Sequence, residues 1–128
     1  KKIESRYKGS GLERDEGKRY LESLLEIMKK EKPFLDENIS LASLAETISL
    51  SPRYLSQIIN EHLDKNFNDF INQYRIEEAI ERLDQFDKET DSILDLCFDV
   101  GFNSKTPFYR AFKKATGQTP LQYLKRRK

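Results

Sequence analysis

Tryptophan is absent from this 128-residue chain, and cysteine, histidine and methionine each occur once. A single Cys excludes an internal disulfide and fits a reducing compartment. One His beside one Cys leaves no ligand set for a transition metal. No stretch approaches the roughly 18 consecutive apolar residues of a membrane span, and no secretory leader is visible. No acid/base pair, activated nucleophile or phosphate-cradling loop stands out, which sets enzyme chemistry aside. Acidic side chains are missing from one place in particular. Residues 103–128 contain none of the 22 Asp and Glu, yet hold eight of the 23 Lys and Arg. Residues 1–102 therefore carry the other 15 basic groups against all 22 acids, and a formal net charge of +1 hides a strongly divided chain.

What is present is helical punctuation. The opening "KKIESRYKGSGLERDEG" lacks an initial Met, is charged, bears Gly and Ser, and reads as a linker or frayed end of a fragment. From Lys18 to Lys30 the apolar residues Tyr20, Leu21, Leu24, Leu25, Ile27 and Met28 recur at three- and four-residue spacing, the mark of an amphipathic helix. Pro33 stops it. Asn38 or Ser40 can cap the next helix, whose apolar face is Leu41, Leu44, Ala45 and Ile48. Ser51 can cap another, with Pro52 in its first turn. A long helix is expected from Asn68 to about Leu83, and shorter ones over Ser92–Val100, Lys105–Thr116 and Pro120–Arg127. No strand pattern appears, so the expected fold is all-α.

Two of these segments repeat. Leu44, Ala45, Ser49 and Leu50 align with Leu96, Cys97, Gly101 and Phe102; one inserted residue later, Leu55, Gln57 and Ile59 align with Phe108, Arg110 and Phe112. Each copy reads as helix, tight turn, helix. Small Ala45 and Cys97 let the helices cross closely, small Ser49 and Gly101 permit the reversal, and apolar Leu50 and Phe102 plug the core below it. This helix-turn-helix pattern leaves the outer face of each second helix available to a major groove. The acid-free end is then the electrostatic footprint for phosphate.

"GFNSKTPFYRAFKKATGQTPLQYL", with "SPRYLSQIIN" and "FNDFINQYRIEEAIERL", resembles the DNA-binding domain of the AraC/XylS family of bacterial transcription regulators over about Ile39 to Lys125. The resemblance implies two helix-turn-helix subdomains (residues 38–65 and 91–128) joined by a linker helix (66–84); the amphipathic extension helix (18–37) and the linker (1–17), read from spacing and composition, lie outside that domain. The resemblance also implies double-stranded DNA and RNA polymerase as partners, no cofactor, and an upstream sensor or dimerisation domain in a longer protein. That protein would be cytoplasmic or membrane-anchored. Asp64 stands where the family often has Gly, which predicts a frayed or differently shaped helix end. Leu124 follows Tyr123 where the family often has Arg, leaving Lys125 and Arg126 to supply the charge.

On this reading the first recognition helix offers Arg53, Ser56, Gln57 and Asn60 to base edges. The second offers Lys105, Thr106, Tyr109 and Arg110. Arg53, Lys105 and Arg110 suit guanine, Gln57 suits adenine, and Thr106 suits a thymine methyl. Lys113, Lys114, Lys125 and Arg126 suit phosphate. Arg75, on the linker helix, is expected to make a structural hydrogen bond or ion pair. His62 is expected to be solvated and Cys97 to be a small core residue. The alternative is a helical protein-interaction module that keeps the fold without specific DNA contact. It draws on the first copy, where Arg53 is the only Lys or Arg between Ile39 and Leu63, against Glu46 and Glu61.

Overall fold

A computed structural model describes the backbone of residues 11–126 and the side chains of residues 16–126. Residues 1–10 of the linker expected over residues 1–17, and the cations Arg127 and Lys128, lie outside the described residues. Among the described residues, seven α-helices and one short 3₁₀ turn account for the regular structure, with no strand. The helices are α1 (Gly11–Lys30), α2 (Leu41–Thr47), α3 (Pro52–Leu63), α4 (Phe67–Leu83), α5 (Ile93–Asp99), α6 (Lys105–Thr116) and α7 (Pro120–Arg126), and the 3₁₀ turn is Pro33–Leu35. α1 begins seven residues before the apolar spacing does. Residues 11–17 of the expected linker are therefore helical, because Leu, Glu and Arg over residues 12–16 are good helix formers without forming an apolar stripe.

The helices group into two compact units. Among the described residues, the first holds 11–33 and 39–70, the second 34–38 and 71–126. In the first, α1 packs on α3, burying Leu24 and Met28, and sets Tyr20 edge-on to Tyr54 with ring centroids 5.8 Å apart. Buried Gly17 permits the close approach, since a β-carbon there would lie 3.2 Å from Nε2 of His62, whose side chain is otherwise exposed. Leu44, Ala45, Leu55, Ile58 and Ile59 complete this core. The second core gathers Ile76, Ala79 and Leu83 of α4, Leu96 and Cys97 of α5, Val100 and Phe102 of the turn, Phe108 and Phe112 of α6, and Leu124 of α7.

Capping decides where the helices start. Of the two candidates before α2, Ser40 is the cap: its hydroxyl accepts from Ser43 N, and Ser43 Oγ accepts from Ser40 N, both at 3.0 Å. Ser51 caps α3 by accepting from Tyr54 N, and Ser92 caps α5 by accepting from Asp95 N. Thr119 caps α7 in the same reciprocal way with Gln122.

The repeat is carried by the backbone. Leu50 N donates to Ala45 O at 2.9 Å, and Phe102 N donates to Cys97 O at 3.1 Å. Ser49 N donates to Glu46 O and Gly101 N to Phe98 O, at 3.1 and 3.0 Å. Both copies thus close their first helix with the same pair of 6→1 and 5→2 bonds around a left-handed residue, Ser49 at φ 61° and Gly101 at φ 112°. The second helices end alike as well. Asp64 sits at φ 57°, ψ 42° and donates to Asn60 O; Gly117 sits at φ 82°, ψ 0° and donates to Lys113 O. The expectation that Asp64 would fray or reshape its helix end is corrected here. Asp is among the few L-residues that enter the left-handed region with tolerable strain, and it forms the same cap.

Candidate nucleic-acid interface

The first turn-and-helix presents α3 with Tyr54, Leu55, Ile58 and Ile59 inward, which leaves Arg53 and Asn60 exposed. Ser56 and Gln57, expected on the outer face, are half-buried at its edge. Gln57 Nε2 donates to Glu61 Oε2 at 3.3 Å, one turn further on. This bond orients the amide and places a carboxylate beside it, so α3 is nearly neutral where it faces solvent.

α6 differs in charge. Its inward anchors, Phe108 and Phe112, are wholly buried and packed edge-on with centroids 5.9 Å apart. Lys105, Thr106, Arg110, Lys113 and Lys114 are all exposed. Tyr109 is half-buried, its ring against Phe108 and its face 5.8 Å from Lys105 Nζ. Lys105, Thr106, Tyr109, Arg110 and Lys113 line one shallow depression, closed on one side by Thr119. Among the described residues no carboxylate pairs with Lys105, Arg110, Lys113 or Lys114. The surface can therefore present its charge undiminished to an anion. Ser104 occupies the N-cap position of α6 but, unlike the other serine caps, makes no side-chain bond to the helix.

Lys125 and Arg126 are exposed in the last turn of α7. Leu124 is 3% exposed within the second core, so the position that often carries Arg in the resembled family faces inward here. Thr119 escaped the sequence reading as part of the depression. Its signal was present in "TPLQ", a capping box with Pro at the first helical position.

Arg75 is a buried cation, 9% exposed. Its Nε donates to Phe34 O at 2.7 Å and its Nη2 to Asp36 O at 3.0 Å, while the guanidinium lies 5.4 Å from the centre of the Phe102 ring. Burial lowers its pKa from the usual arginine value, and the charges of Asp36 and Glu37 oppose that shift. The structural hydrogen bond expected of this residue is present, with backbone carbonyls as acceptors. Burial likewise raises the Cys97 thiol pKa, in keeping with a packed core residue rather than a nucleophile. Among the described residues no cluster of His, Cys, Asp or Glu could hold a metal ion, and no helix is long and apolar enough to cross a membrane.

Comparison with known proteins gives these features a family. A model described as "Helix-turn-helix domain" matches residues 44–126. An uncharacterised HTH-type transcriptional regulator of Staphylococcus aureus (strain COL) is 39% identical over 87 residues, which are 68% of this chain and 11% of that protein. The chain thus corresponds to about a tenth of the length of such relatives. The C-terminal domain of AraT, a response regulator from Geobacillus stearothermophilus, is 31% identical and superposes with a TM-score of 0.69, covering 87% of this chain and 84% of that one. The DNA-binding domain of AdpA, a global transcriptional factor solved with a target DNA, shares the fold with a TM-score of 0.68 at 19% identity, over 80% of this chain and 90% of that one. The chain belongs to the AraC/XylS family of transcription regulators, as a double helix-turn-helix DNA-binding domain.

Proposed function

We propose that this domain reads specific sequences in double-stranded DNA through α3 and α6, each entering a major-groove segment, as the output part of a longer bacterial transcription regulator. The observation that carries the reading is the backbone repeat. Two helices launched from identical hydrogen-bonded turns each keep an outer face in solvent, and the second is lined by unpaired cations. Arg53, Ser56, Gln57 and Asn60 on α3, and Lys105, Thr106, Tyr109 and Arg110 on α6, are the residues assigned to base edges. Lys113, Lys114, Lys125 and Arg126 are assigned to phosphates. The parent protein acts in the cytoplasm or at the cytoplasmic face of a membrane. It receives its signal from an upstream sensor or dimerisation domain and passes it to RNA polymerase.

Selection from a randomised duplex pool, followed by footprinting on the recovered site, tests the reading. Two protected patches about 10 base pairs apart on one face are expected, because paired major-groove readers bind half-sites one helical turn apart. A single patch, or protection on opposite faces, counts against paired readout. A second reading, a protein-interaction module, is favoured only by the neutrality of α3 and the Gln57–Glu61 bond. It predicts no enriched sequence at all.

A further inference from the structure

We propose that Arg75 is a positioning residue for the second half-site: it sets the register of α6 through Phe34, Asp36 and Phe102 without touching DNA. The role presupposes the DNA reading above. Arg75 projects from α4, yet its acceptors lie 41 and 39 residues earlier, in the segment that follows α1. That segment lies outside residues 44–126, the part of the chain by which the family is recognised. On its other side the guanidinium covers the ring of Phe102, the residue that ends the turn into α6. Phe102 in turn packs on Phe108 with centroids 5.3 Å apart. Phe108 stands on α6 two residues after Thr106 and two before Arg110, on the opposite, wholly buried side. Phe34 also stacks on Tyr74 beside Arg75, at 5.5 Å, so the acceptor carbonyl is itself held.

Gly101 shows how little slack the arrangement has. A β-carbon at this residue would fall on Phe34 O and lie 2.6 Å from Arg75 Nε. The turn, the carbonyl and the guanidinium therefore form one packed unit. Base readout requires side chains to be held within about 0.5 Å of their productive positions, which depends on such supporting contacts. The first copy has Leu50 in the place of Phe102, an aliphatic side chain with no ring for a guanidinium to cover. Loss of Arg75 should thus be felt in one half-site only.

The test compares wild type, Arg75→Met and Arg75→Lys on the duplex recovered by selection and on two versions scrambled in one half-site each. Hydrogen exchange of the Gly101 and Phe102 amides is followed without DNA, and circular dichroism checks the fold. Arg75→Met is expected to keep its helix content and its salt dependence, and to exchange faster at both amides. It should lose about ten-fold in discrimination at the second half-site while keeping the first intact. Arg75→Lys, which reaches one carbonyl but cannot fork or stack as a plane, should fall between. If Arg75→Met does not fold, Arg75→Lys carries the comparison alone. A folded variant with discrimination unchanged at both half-sites overturns the role. An equal loss at both, with a shallower salt slope, also overturns it by making Arg75 a phosphate contact. Failure of the wild type to enrich any sequence overturns the DNA reading itself.

Discussion

A β-carbon on Gly101 would occupy the place of the Phe34 carbonyl oxygen, whereas its counterpart Ser49 already carries a side chain in solvent. The two positions share a left-handed backbone and the same turn bonds, but only one has room. Gly101→Ala should therefore destabilise the domain by more than the roughly 1–2 kcal/mol of left-handed strain alone. Ser49→Gly should be neutral or stabilising by up to about 1 kcal/mol. Urea denaturation of both variants checks this, and equal effects would show that the contact with Phe34 relaxes freely.

The caps of α3 and α6 form a second matched pair. Asp64 and Gly117 are both left-handed, and nothing lies within 4 Å of a β-carbon built on Gly117. Gly117→Ala should cost only the backbone term, about 1 kcal/mol, and Asp64→Gly should gain a few tenths to about 1 kcal/mol. Thermal unfolding midpoints should move in opposite directions.

Salt should govern affinity through the acid-free end. With roughly four to six phosphates neutralised, log affinity should fall against log salt with a slope of about −4 to −5. Charge reversal at Lys113, Lys114 and Arg126 should flatten that slope and weaken all sequences alike, because these side chains are exposed and phosphate carries no sequence information. Fluorescence anisotropy titrations at several salt concentrations measure it. A slope near zero in the wild type rules out DNA as the ligand.

Arg53 and Arg110 should fail differently. Either change to Ala should cost about 1–3 kcal/mol on the cognate site and relax specificity at its own base pair. Arg53 stands on a nearly neutral helix, so its loss should leave binding that is close to non-specific over the first half-site. Arg110 shares its depression with Lys105 and Lys113. Its loss should lower total occupancy further, since the first unit has too little charge to hold the complex. Binding series on cognate and half-scrambled duplexes separate the two. Abolition by Arg53→Ala with tolerance of Arg110→Ala would make α3 the main anchor.

Much of this was legible in the chain itself, since helix periods, serine caps and charge are local properties. Spacing at Lys18–Lys30, Ser51 before Pro52, and the paired Leu44–Leu50 and Leu96–Phe102 stretches needed no partner to be read. The division of charge likewise marked α6 as the cationic helix. Apolar spacing missed the first seven residues of α1, where helix propensity continues without an apolar stripe. It also placed Gln57 and Tyr109 too far outward, because a side chain at the edge of a buried face is covered by neighbours that periodicity does not see. Asp64 was misjudged for a related reason: its conformation is chosen by the chain reversal after α3, and the modest strain is borne by the packed helices around it. Arg75 is the clearest case of what folding alone decides. Its charge and helix could be named from the sequence, but its acceptors are carbonyls some 40 residues away, and every residue has a carbonyl. Only the close packing of the Phe34 segment, Gly101 and Phe102 selects which two of them the guanidinium meets.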